Sequence, residues 1–71
     1  MKVKDLNIGA TIHLLGEEIY ISAKHVERGG RVTEFRVYRG IQKPSQALWI
    51  VSQQVQRWLD EAEWIENPEE K

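Results

Sequence analysis

The chain has 71 residues, with ten Lys or Arg against eleven Asp or Glu, and its formal net charge is −1. With 41% hydrophobic and 30% charged residues it has the composition of an ordinary globular domain, which excludes a disordered or fibrous chain. Its length allows one domain, and the lack of cysteine excludes disulfides and thiolate chemistry.

The sequence does not indicate secretion or membrane insertion. No apolar run approaches the ~18 residues of a membrane span, and no apolar stretch follows the N-terminal lysines. We therefore expect a cytoplasmic protein without a membrane partner. Residues 1–43 hold eight basic and five acidic residues, whereas residues 44–71 hold two and six. This asymmetry is typical of solvated surfaces, with a basic sheet face for an anionic partner as the alternative.

The first predicted hairpin surrounds Gly16. Apolar and polar residues alternate on both sides of this glycine, which predicts two antiparallel strands. Glycine at the first position of a two-residue loop suits a type II′ turn at Gly16-Glu17, which pairs Leu14 with Ile19. The other face then receives His13 opposite Tyr20. The buried face is predicted to hold Ile12, Leu14, Ile19 and Ile21.

A longer hairpin follows, with its turn at Arg28-Gly29-Gly30. A three-residue loop with Gly30 in the left-handed conformation pairs Glu27 with Arg31 and agrees with the register of the first hairpin. His25 then falls on the buried face. The predicted pairs are Ala23 with Phe35 and Ile21 with Val37 on the buried face, and Val26 with Val32, Lys24 with Glu34 and Tyr20 with Tyr38 on the other.

The segments that flank these hairpins are less regular. Leu6 and Ile8 belong to an N-terminal segment that we expect to close over one edge of the sheet. Residues 40–46 have the composition of a loop. Residues 47–51 are rich in β-forming residues and predict a fourth strand, in which Trp49 fills the core.

The C-terminal segment has the spacing of an amphipathic helix, with Ser52 as a candidate N-cap. Trp64 breaks the spacing. Either the helix ends near Glu61 and residues 62–65 form a short fifth strand, or Trp64 is exposed as a candidate partner anchor. The apolar stripe consists of Val51, Val55, Trp58, Leu59, Ala62 and Ile65.

The predicted fold class is mainly β, with an antiparallel four- to five-stranded meander or small barrel and one C-terminal helix. The chain forms a single domain over residues 1–66. Pro68 disfavours helix before it, so residues 67–71 are expected to form a frayed polar tail.

Four motifs follow in order along residues 5–51, namely Leu6-Asn7-Ile8-Gly9, Ile19-Tyr20-Ile21, Phe35-Arg36-Val37-Tyr38 and a strand with Trp49. This order resembles small bacterial and phage SH3-like β-barrel domains of unknown function. The resemblance implies binding rather than catalysis, with peptides, nucleic acids and other subunits all as known types of ligand for such barrels.

No catalytic, metal or cofactor site is expected, so we do not expect an enzyme. The two histidines, His13 and His25, lie on opposite faces in the predicted register, and no cysteine assists them. His13 is also displaced along the sheet from Ser22, which leaves that hydroxyl without a base. Gly29-Gly30 is not followed by a helix, so it predicts a turn and not a phosphate site.

The outer face of the predicted sheet is the candidate binding surface, with His13, Tyr20 and Tyr38 in one row and Arg36 beside Ser22 in the next. These residues and Trp64 are of types enriched in protein-binding hot spots. We expect a small non-catalytic regulatory or accessory module that binds a protein partner, with a phage or mobile-element origin as one possible source. Three alternatives stay open: a face that is only solvated, a nucleic-acid-binding barrel that uses the aromatic and basic residues, and a homo-oligomer paired through its sheet edges.

Overall fold

The computed structural model describes residues 1–40 and 46–69, and in them it shows one five-stranded antiparallel sheet with one helix. The sheet is open and has the strand order β4-β3-β2-β1-β5, which confirms the mainly β class. Most of the predicted loop over residues 40–46 lies outside the described residues. In chain order the elements are a 3-10 turn at Val3–Asp5, β1 at Thr11–Leu14, β2 at Glu17–Val26, β3 at Val32–Arg39, β4 at Leu48–Val51, α1 at Ser52–Glu61 and β5 at Trp64–Glu66.

One face of the sheet, called here the inner face, packs against α1 and forms the core. The four alternating residues of the first hairpin are all buried there, as predicted, because their side chains point to one side of the pleat. The N-terminal segment contributes Leu6, which is fully buried, whereas Ile8 is 45% exposed. The buried residues are Leu6, Ala10, Ile12, Leu14, Ile19, Ile21, Phe35, Val37, Val55, Trp58 and Leu59.

The turn of the first hairpin lies one residue earlier than predicted. Leu15 and Gly16 have φ of +52° and +77°, which is the pattern of a type I′ turn. Leu14 therefore pairs with Glu17, and Ile12 with Ile19, so the predicted pairing was wrong by two residues. A shift of two is a full side-chain period, and for this reason the predicted faces are correct.

The second hairpin has the predicted turn but contains a β-bulge that the sequence did not reveal. The N–H of Glu27 donates to the carbonyl of Arg31 at 2.8 Å, as the three-residue loop requires. Ile21 pairs with Val37, Tyr20 with Tyr38 and Val26 with Val32, all as predicted. The register shifts at Ser22, whose hydroxyl donates to the carbonyl of Arg36 at 3.2 Å.

The bulge exchanges the faces of the residues that follow it. Lys24 pairs with the buried Phe35 and not with Glu34, and Ala23 pairs with Arg36. His25 pairs with Glu34, so its predicted inner position was wrong. One extra residue in a strand inverts its alternation. A second irregularity between His25 and Val26 restores the predicted pairing of Val26 with Val32. Their predicted outer face was wrong, because Val32 packs against the core.

The helix begins where the spacing predicts and ends before the stripe does. Val55, Trp58 and Leu59 are buried, while Ala62 and Ile65 pack against the core from the segment after the helix. Val51 is the exception, because it belongs to β4 and is 55% exposed. Ser52 does not cap the helix, since its hydroxyl donates to the carbonyl of Val32 at 2.8 Å.

Trp58 of α1 packs against the end of the sheet, where Arg39 of β3 covers its ring. It is only 7% exposed, and the guanidinium carbon of Arg39 lies 5.2 Å from the ring centroid. Nε and Nη2 of Arg39 donate to the two carboxylate oxygens of Glu17, both at 3.0 Å. This bidentate pair holds the guanidinium over the indole.

The residues after β5 are tied to the N-terminal segment. The backbone N–H of Asn7 donates to Oδ1 of Asn67 at 2.8 Å, and Nδ2 of Asn67 donates to the carbonyl of Asp5 at 2.9 Å. Nδ2 of Asn7 donates in turn to the carbonyl of Pro68 at 2.6 Å. Asn67 and Pro68, predicted as part of a frayed tail, are therefore hydrogen-bonded to the domain.

Candidate functional site

The face of the sheet opposite α1, called here the outer face, exposes aromatic side chains from one edge to the other. Strand pairing arranges its residues in four rows across the strands, and alternate positions along each strand fall in successive rows. The rows are Trp64–His13–Glu18, then Glu66–Thr11–Tyr20–Tyr38, then Ala23–Arg36–Trp49, and last His25–Glu34–Val51.

In the first row, the ring of Trp64 is held by its neighbour His13. Its ring stacks on the imidazole of His13, with the centroids 3.8 Å apart and the planes 7° from parallel. Nε2 of His13 lies 3.2 Å from Oε1 of Glu66, and Nδ1 lies 3.8 Å from Oε1 of Glu18. The His13 side chain is 16% exposed, whereas Trp64 is 53% exposed. His13 therefore positions Trp64, and Trp64 is the side chain that a partner can reach.

The middle of the outer face is a cluster of two tyrosines and an arginine. The rings of Tyr20 and Tyr38 are 6.1 Å apart and tilted by 34°, as in many aromatic cross-strand pairs. The guanidinium of Arg36 lies 5.9 Å from the centroid of Tyr38. Tyr20 is 43% exposed, so this cluster is open to solvent.

The β4 end of the outer face carries a second exposed tryptophan. Trp49 is 51% exposed, so its predicted place in the core was wrong. Residues 48–51 are all large and apolar, and alternation therefore gives no sign of which ones face inward. The pairing with β3 decides it, because Trp49 lies opposite Arg36. His25, Glu34 and Trp49 also line a common hollow of about 230 Å³.

All five residues predicted as partner-binding lie on the outer face, and Tyr20 and Tyr38 share a row as predicted, whereas His13 and Arg36 do not lie in their predicted rows. His13 lies opposite Glu18 rather than Tyr20, because of the shifted first turn. Arg36 lies opposite Ala23, because of the bulge at Ser22. The structure brings the five side chains to one surface, and their role in binding stays a prediction. They are His13, Tyr20, Arg36, Tyr38 and Trp64.

The charged residues of the outer face are mostly acidic. Its rows contain Glu18, Glu34 and Glu66 against Arg36. Within residues 1–40 and 46–69, no group of three or more His, Asp or Glu side chains is placed to hold a metal ion. The face is thus aromatic, with sparse charges of both signs.

A cleft of about 540 Å³ opens where the outer face meets the first turn. Leu15 projects beside it and is 89% exposed, in a left-handed conformation that is rare for a bulky residue. Leu15 was not among the predicted binding residues, because the predicted turn at Gly16-Glu17 placed it in the preceding strand rather than in the turn. The cleft is lined by His13, Leu15, Gly16, Glu17, Glu18, Gly40, Glu63 and Trp64.

No protein-family model, curated protein or solved structure matches this chain. Across residues 1–40 and 46–69, no helix has the length and apolar character that crossing a membrane requires.

Proposed function

We propose that this chain is a small, non-catalytic protein-binding module with a regulatory or accessory role, and that its outer face is the contact surface. One observation carries the proposal. Two half-exposed tryptophans, Trp49 and Trp64, stand at opposite edges of the sheet with Tyr20, Tyr38 and Arg36 between them. Tryptophan, tyrosine and arginine are the residues most enriched among binding hot spots.

Two of the exposed side chains, Trp64 and Tyr20, are in contact with neighbouring rings before a partner binds. Trp64 stacks on His13, and Tyr20 packs beside Tyr38. Side chains on strands with fixed neighbours lose little conformational entropy when they are covered, and this reduces the free-energy cost of association. The width of the face from β4 to β5 is about 19 Å, from four strand spacings of ~4.8 Å. Such a face suits a folded or extended protein surface rather than a small molecule.

The charged residues of the outer face favour a protein over a nucleic acid as the binding partner. Affinity for nucleic acid depends on lysines and arginines that neutralise phosphates. The outer face offers Arg36 but also three glutamates, of which Glu18 lies in the row of Trp64 and Glu66 in the next row. A phosphate backbone laid across the rows would meet these carboxylates.

The test is affinity capture from native extract with matched baits, followed by mapping of the contact. The baits are wild type, Tyr20→Ala, Trp64→Ala and the control Val26→Ala, which removes a 48%-exposed apolar side chain outside the four rows. We expect the two outer-face variants to weaken binding of the captured partner by at least ~30-fold, the scale of a hot-spot truncation, and the control to bind as wild type does.

Mapping distinguishes the outcomes. When the purified partner is added to isotope-labelled chain, the shifted amide resonances should lie in the four rows of the outer face. Equal capture by all four baits, or a footprint on α1, would contradict the proposal. A labelled single-stranded oligonucleotide provides the other arm. Tight, salt-dependent binding that Arg36→Ala abolishes would replace the protein-binding proposal with a nucleic-acid one.

A further inference from the structure

The two edges of the sheet differ in their protection against pairing with another chain. Edge strands carry unpaired backbone N–H and C=O groups, and proteins protect them with charges, prolines, bulges or short length. β5 has three residues, one of which is Glu66, and Glu63 precedes it. β4 has no charge, proline or bulge among its residues, which are Leu48, Trp49, Ile50 and Val51.

The unprotected edge strand also exposes three apolar side chains. Leu48, Trp49 and Val51 are 52%, 51% and 55% exposed. Among residues 1–40 and 46–69, β3 is the strand that pairs with β4, and β4 ends the sheet. An apolar edge strand of this kind is a template for the addition of another strand.

We propose that β4 pairs with β4 of a second copy of this chain, antiparallel about a two-fold axis perpendicular to the sheet, so that two sheets join into one of ten strands. Paired residues in a continuous sheet point to the same face. Trp49 and Val51 point to the outer face and Ile50 to the inner face. A register centred on Ile50 satisfies this condition and places Trp49 opposite Val51 of the second copy.

This register matches the two copies in chemistry as well as in geometry. Arg36 lies behind Trp49 in its row, and Glu34 lies behind Val51. Each outer-face row that continues from one copy into the other therefore runs from Arg36 through Trp49 to the second copy's Val51 and Glu34. No like charges meet, and the two half-exposed apolar side chains cover each other. The two outer faces become one continuous surface with a Trp64 at each end, while both copies of Trp49 are covered at its centre.

The area involved predicts a weak dimer. Covering the exposed halves of three side chains and the strand backbone buries on the order of 400 Å² per copy, about half of what a stable partner surface buries. We therefore expect a dimer that forms with concentration over about 10 µM to 1 mM, not an obligate one. This inference does not require the proposed outer-face partner, so either can fail alone.

Sedimentation equilibrium over that concentration range tests the pairing, with wild type, Val51→Lys and Val26→Lys compared. The control places the same charge on a valine of similar exposure, 48% against 55%, away from β4. We expect the wild-type mass to rise from monomer towards dimer, Val51→Lys to weaken association by at least ~10-fold, and Val26→Lys to change it less than ~2-fold. Circular dichroism confirms that each variant is folded.

Amide hydrogen exchange of the wild type tests the same contact without a mutation. Protection of residues 48–51 should increase with concentration, while that of β5 should not. A monomer at ~1 mM, equal weakening by both lysine variants, or concentration-dependent protection at β5 instead of β4 would each overturn the proposal.

Discussion

Substitution of Trp58 or Trp64 by alanine should lower the stability of the domain by different amounts, because Trp58 belongs to the core and Trp64 to the proposed contact surface. Trp58 is 7% exposed and packs under the Arg39 guanidinium, whereas Trp64 is 53% exposed and touches one ring, that of His13. The same chemical change at these two positions therefore removes a core side chain in one case and a surface side chain in the other.

The two losses differ by a factor of at least two. Removal of a buried tryptophan costs about 3–5 kcal/mol, because contacts are lost and a cavity remains. Removal of Trp64 costs chiefly the stacking on His13, about 0.5–1.5 kcal/mol for an aromatic pair. A domain of this length has a total stability of roughly 4–10 kcal/mol. Trp58→Ala therefore takes away a large part of it, and Trp64→Ala a small part.

Urea unfolding followed by circular dichroism measures both variants on one scale. We expect Trp64→Ala to lose at most ~1.5 kcal/mol with an unchanged dependence on urea. Trp58→Phe provides a folded intermediate if Trp58→Ala is unfolded in buffer. A loss above ~3 kcal/mol for Trp64→Ala would refute the exposed position of this ring and the surface proposed around it.

Two further substitutions test the turn and the C-terminal tie. Leu15→Asn should raise the melting temperature by a few degrees, because asparagine tolerates the left-handed conformation better and leucine at 89% exposure loses no packing; an unchanged or lower melting temperature would count against the type I′ turn. Asn67→Ala should lower the free energy of unfolding by ~1 kcal/mol and speed exchange of the Asn7 amide, because both of its backbone hydrogen bonds are lost. Exchange at the wild-type rate would show that this tie is not formed in solution.

The parts of the fold that depend on period alone could be predicted from the sequence. Alternation placed Ile12 and Ile19 on the buried face, and this survived an error of two residues in the turn because two residues are one full period. The helical spacing correctly marked Val55 and Trp58 as core residues. The residues of the first hairpin that were predicted to bind a partner, His13 and Tyr20, lie on the outer face for the same reason.

Residues were assigned to the wrong face of the sheet where the alternation of apolar and polar residues is interrupted, or where every residue of a strand is apolar. The bulge at Ser22 adds a residue without any glycine or proline to mark it, and it moved His25 to the outer face. Trp49 was assigned to the core because all four positions of β4 are apolar. In both cases the neighbouring strand determines the face, and one sequence does not reveal that register.

Cross-strand nuclear Overhauser effects between β2 and β3 test the central claim most directly, since the outer face depends on the bulge at Ser22. The structure predicts contacts of Ala23 with Arg36 and of His25 with Glu34. Contacts of Ala23 with Phe35 and of Lys24 with Glu34 would instead show an unbulged ladder. That ladder would bring a lysine to the outer face in place of His25 and contradict the surface described above.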